Sequence, residues 1–167
     1  MYLILLFILI YSVSRFYDLT FLSACKGCEL WRYLTFHFVH VSFFHLAVNS
    51  FAIYLYWKAL RQASNIKYAL PVIAASSLAA GYLSATDIPT IGSSAIAFSM
   101  IAVYCVLLFF KKGPKDGQTL KLYIVLAAFA IIQSIFYTGI NVKIHALSFL
   151  FAAFLSFLFR RKLFYGL

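Results

Sequence analysis

The chain has 167 residues, 65% of them hydrophobic and 11% charged, with 14 lysines and arginines against four acids and a formal net charge of +10. Soluble domains carry about 25% charged residues, so a water-soluble enzyme or regulator is excluded and a membrane protein remains. The cations sit in short breaks between apolar runs rather than along one polar face, which argues against a nucleic-acid partner and for a role in membrane orientation.

One crossing of a bilayer takes about 20 residues, so the length accommodates about six helices and short loops. Apolar runs fall at residues 2–13, 36–57, 68–83, 92–110, 120–137 and 144–159. They predict a single domain over 1–167, an all-α polytopic bundle of six transmembrane helices embedded in the lipid bilayer. After the first run, Leu22-Ser23-Ala24-Cys25 has the look of a lipoprotein cleavage site. No basic residue precedes the run, however, and Arg15 and Asp18 interrupt it, so the segment reads as loop. Cys25 and Cys28 read first as unpaired loop thiols; a disulfide, or a zinc site completed by His37 and His40, are the alternatives. The connections after the second and fourth runs and the tail hold ten basic residues: Lys58, Arg61, Lys67, Lys111, Lys112, Lys115, Lys121, Arg160, Arg161 and Lys162. The opposite side holds four, Arg15, Lys26, Arg32 and Lys143. The positive-inside rule then puts both termini in the cytoplasm and turns the first loop and the starts of the second, fourth and sixth helices outward.

Ionisable groups at membrane depth are costly and mark function. All four histidines, His37, His40, His45 and His145, fall at the outward ends of the second and sixth runs, and no acid lies within a run. Aspartyl chemistry needs paired carboxylates and HExxH zinc chemistry needs a glutamate, so both are excluded. A hydroxyl nucleophile with a histidine base remains. The fourth helix starts at Gly92-Ser93-Ser94, where free backbone N–H groups and the positive end of the dipole favour an oxyanion. A serine in a membrane helix is more commonly a packing residue, and that reading stands beside the catalytic one. On the second helix His45 and Asn49 are four residues apart and share a face, as a donor pair or as a simple helix contact. On the sixth, His145 is followed by Ser148, Ala152 and Ser156, a small-residue stripe that matches Ala95, Ser99 and Ala102 on the fourth and allows close approach. That approach carries His145 toward Ser94, and Phe98, one turn on, is expected against the imidazole. His37, His40, Ser42, His45 and Asn49 are expected to line a polar cavity open to the outside.

Trp31-Arg32, His40, His45-x-x-x-Asn49, Gly92-x-Ser94 and His145 above a small-residue stripe, in this order, resemble the rhomboid family of intramembrane serine proteases. The resemblance runs from about Glu29 to Phe159. It implies a compact six-helix fold, a Ser94/His145 dyad, and an oxyanion pocket made by the Ser94 backbone N–H with His45 and Asn49. Phe98, His40 and Gly92 then support the site, transmembrane proteins are the substrates, and no metal or organic cofactor is needed. The chain departs from many members at Ala95, Phe98, Ser148 and Ala152, where they have glycine, tyrosine and two glycines. Its small size and short loops are also similar to the rhombosortases, a compact bacterial branch. The implied location is a bacterial-type inner or plasma membrane with the active site facing outward. A catalytically inactive rhomboid-like protein that binds membrane helices is the competing reading.

Overall fold

The computed structural model describes residues 2–110, 117–136 and 141–165. Lys111, Lys112 and Lys115, and residues 138–140 of the connection after the fifth run, lie outside the described residues. The helices are α1 (Tyr2–Ser14), α2 (Arg32–Thr35), α3 (Phe43–Ala63), α4 (Ile66–Leu83), α5 (Ser94–Phe109), α6 (Gly117–Phe136), α7 (Val142–Leu158) and α8 (Arg160–Phe164), with 3-10 turns at Thr20–Leu22 and Phe36–Phe38. No strand occurs among the described residues.

A helix that is apolar on every side belongs inside the bundle, and α5 is such a helix: ten of its sixteen residues are buried. It packs on α3, α4 and α7, with the contact to α7 the most extensive in the molecule. Small residues make that contact, since Ala95, Ser99 and Ala102 meet Ser148, Ala152 and Ser156 and all six are fully buried. The backbones come close enough for the Ser99 hydroxyl to reach the Ser148 carbonyl at 3.5 Å. The other flank of α7 rests on α4, which buries Ala69, Ser76, Ser77 and Ala80. Helices in lipid gain little from hydrophobicity alone, so this close dispersion contact is what holds them together.

α6 is the exception, for Tyr123 and Ser134 are its only buried side chains among the described residues. The Tyr123 ring packs against Tyr56 and Tyr104. Two hydrogen bonds reinforce it: the Tyr56 hydroxyl donates to the Tyr123 carbonyl at 2.8 Å and the Tyr123 hydroxyl to the Leu55 carbonyl at 3.2 Å.

α4 and residues Gly117–Ser134 are each long and apolar enough to cross a membrane. So are Arg32–Phe38 and Phe43–Ala63 taken together, although these meet at 99°. α1, α5 and α7 are apolar and shorter. The second helix therefore starts at Phe43 and not at 36, a correction with a local cause. Val39 turns extended (φ −90°, ψ 139°), and Ser42 caps the new helix by accepting the His45 N–H at 3.1 Å.

At one end of the bundle α8 folds back onto the α3–α4 junction, where the Asn65 N–H donates to the Leu163 carbonyl at 2.7 Å and Leu163 and Phe164 are buried. At the other end the first loop is knitted to the segment before α5. Ala24 and Thr90 exchange both backbone hydrogen bonds, at 3.0 and 2.8 Å, and the Lys26 N–H donates to the Thr86 carbonyl. The Arg32 guanidinium donates to the carbonyls of Ser23 (2.8 Å) and Thr20 (3.2 Å) and pairs with Glu29 at 3.4 Å. The backbone N–H and hydroxyl of Thr20 both donate to the exposed Asp18 carboxylate and hold it below the usual carboxylate range. Cys25 and Cys28 form a disulfide. The unpaired-thiol reading is thereby corrected, and a first-loop zinc site loses its thiolates.

Candidate active site

The segment leading into α5 is held from several sides. Thr90 is paired with Ala24, the Gly92 N–H donates to the Phe36 carbonyl at 2.9 Å, and the Asn141 side-chain amide donates to Thr90 Oγ1 at 3.1 Å and the Ser84 carbonyl at 3.3 Å. Gly92 has φ +121°, a conformation open to glycine. It also lies against the His45 ring: a Cβ there would come within 2.6 Å of Cε1 and 2.9 Å of Nε2. Ser93 precedes the helix, fully buried, with its Oγ 3.0 Å from His40 Nε2. This turn sets Ser94 as the first helical residue, half-buried at the α5 N-terminus.

His145 reaches Ser94 from the first turn of α7. Asn141 caps that helix, its Oδ1 accepting the Ile144 N–H at 3.3 Å, and the stripe of small residues below draws α7 onto α5. The His145 Nε2 lies 2.8 Å from Ser94 Oγ. Phe98 stacks on the imidazole with ring centroids 4.3 Å apart and planes inclined by 8°. The other ring nitrogen, Nδ1, lies 2.7 Å from the hydroxyl oxygen of Ser134 on α6.

α3 forms the remaining wall. His45 sits in its first turn, edge-on to His40 with centroids 5.2 Å apart, against Gly92 and within electrostatic range of His145. Asn49 is one turn on; its side-chain nitrogen is buried and has no hydrogen-bond partner. A buried amide donor left unpaired costs free energy unless something occupies it. His40 is packed between Phe7, His45 and Ser93, and His37 lies against Phe36 with the two rings tilted by 34°. Both are only 3% exposed. They therefore back the site and do not line an open cavity as expected; Ser42, His45 and Ser94 are the half-buried members.

A serine hydroxyl against an imidazole, at a helix N-terminus and beside an unpaired amide, is suited to acyl transfer. Sequence reasoning missed three contributors. Asn141 had a readable signal, since asparagine just before an apolar periodic run is a capping residue. Ser93 stood beside the nucleophile candidate and its bond to His40 has no local signature. Ser134 sits mid-run on a different helix, and no spacing points to it.

Residues 27–162 match a family model described as Rhomboid domain. A protein of Bacillus subtilis (strain 168) named "Putative rhomboid protease YdcA" is 30% identical over 138 residues, which span 80% of this chain and 69% of that protein. No solved structure matches.

Proposed function

Because the chain belongs to the rhomboid family, an intramembrane protease family of integral membrane proteins, we propose that it is a serine endopeptidase that cuts membrane proteins in or near their transmembrane segments. The observation that carries this reading is the 2.8 Å contact between Ser94 Oγ and His145 Nε2. His145 takes the Ser94 proton as Oγ attacks the scissile carbonyl carbon, and a tetrahedral oxyanion forms. The Ser94 backbone N–H, His45 and the unpaired Asn49 amide are the donors for that oxyanion. The protonated Nε2 then gives its proton to the leaving amine, leaving an acyl-enzyme. A water molecule, deprotonated by the same nitrogen, releases the acid and restores the serine.

The helix lengths support a site inside the membrane. Sixteen residues of α5 rise about 24 Å, less than the roughly 30 Å of hydrocarbon in a bilayer. With Phe109 at the inner boundary, Ser94 lies several ångströms below the outer one. Six spans then follow, counting α2 through α3 as one bent crossing. The distribution of the basic residues supports an orientation with both termini in the cytoplasm of a bacterial-type inner or plasma membrane and Ser94 reached from outside. A substrate helix has its amides bonded internally, so a helix-breaking glycine or proline near the cut favours cleavage. The test is a fluorophosphonate probe on purified protein, with a transmembrane substrate cleaved in parallel. Labelling at Ser94 that disappears in Ser94→Ala and His145→Ala, together with loss of cleavage, is the expected result. An unlabelled wild-type chain overturns it and leaves the inactive membrane-helix binder.

A further inference from the structure

Stacking on Phe98 fixes the plane of the His145 ring but not its rotation within that plane. Nor does it fix which nitrogen carries the proton, and catalysis needs that proton on Nδ1 so that Nε2 presents a lone pair to Ser94. We propose that Ser134 is the positioning residue that decides both, and thus that the dyad is completed from α6. This inference rests on the protease reading above.

The Ser134 hydroxyl has one hydrogen, and it donates it to the Ala130 carbonyl at 2.8 Å, the usual bond of a helical serine to the preceding turn. Its oxygen, 2.7 Å from His145 Nδ1, therefore accepts. The Nδ1–H tautomer is the one that satisfies this arrangement, and the opposite tautomer would face two lone pairs toward each other. When His145 becomes imidazolium, Nδ1–H keeps its acceptor while Nε2–H turns to the leaving amine. Ser134 is 5% exposed on a helix whose described side chains are otherwise exposed or half-buried apart from Tyr123. It lies on the α6 face that carries Tyr123, Ala127 and Ala130 against the core, and this packing presents its hydroxyl to His145.

The test compares Ser134→Thr with Ser134→Val, which have the same shape and differ in the hydroxyl, together with Ser134→Ala. Cleavage of a transmembrane substrate is measured in lipid vesicles, and the tautomer is read from ring-15N NMR of His145, assigned by its loss in His145→Gln. Ser134→Val and Ser134→Ala are expected to lower kcat by roughly 10- to 100-fold with KM unchanged, the worth of a hydrogen bond to a group that becomes charged. Ser134→Thr is expected within a few-fold of wild type. Nδ1 is expected to carry the proton in wild type and Ser134→Thr and to lose it in part to Nε2 in Ser134→Val. Equal kcat for the Thr and Val variants in an active protein, or an unchanged 15N signature in Ser134→Val, overturns the role of Ser134 while leaving the protease reading intact. A wild-type chain that neither cleaves nor is labelled at Ser94 overturns the protease reading and this inference with it.

Discussion

Replacing Gly92 with alanine perturbs the turn before Ser94 in two separable ways. A side chain at φ +121° is strained, at a cost of about 1–3 kcal/mol. The new methyl also stands 2.6 Å from His45 Cε1, whereas ordinary contact begins at 3.4 Å, so the ring must retreat by about 0.8 Å. His45 leans on His40, and His40 holds Ser93 beside Ser94. The displacement is therefore passed to Ser94, where an error of about 1 Å costs on the order of 100-fold in rate. The expected result for Gly92→Ala is a lower unfolding temperature in detergent, with cleavage reduced about 100-fold. Adding His45→Ala removes the steric part and leaves the backbone part, so the double variant should recover part of the thermal loss. Gly92→Ala with wild-type melting and wild-type turnover would refute the close approach and the chain of contacts built on it.

Asn49→Ala should lower kcat by about 100- to 1,000-fold if the amide is an oxyanion donor, with thermal stability unchanged, because its buried nitrogen has no partner to lose. Phe98→Ala should slow turnover several-fold, since a ring stack contributes about 0.5–1.5 kcal/mol, and Phe98→Tyr should stay near wild type in the same assay. Asn141→Ala loses a helix cap and two ties to the Ser84–Thr90 segment. It should destabilise the protein by about 1–2 kcal/mol in chemical denaturation, and unchanged stability would contradict the capping geometry.

Hydropathy made most of the helices legible, because every residue facing lipid must be apolar whatever it packs against. It failed at residues 36–42 for the same reason. Phe36, Phe38 and Val39 are as apolar as a crossing helix, so the run looked continuous, and Ser42 was the one mark of a new start. The closeness of α5 and α7 was readable from Ala95, Ser99, Ala102, Ser148, Ala152 and Ser156, since small side chains have few other uses in a membrane helix. The contact of Ser134 with His145 and that of His40 with Ser93 were not readable. Both join distant parts of the chain through one atom on each side, and such pairs leave no period in the sequence.

The strap formed by Ala24 and Thr90, fastened again by Asn141, ties Ser94 to stretches synthesised long before and long after it. A ribosome-bound fragment ending ahead of α7 has Ser94 but not His145, and a turn with one of its fastenings missing. On the protease reading, the order of synthesis itself then guards against premature scission, because the Ser94–His145 contact cannot form until α7 has joined the bundle.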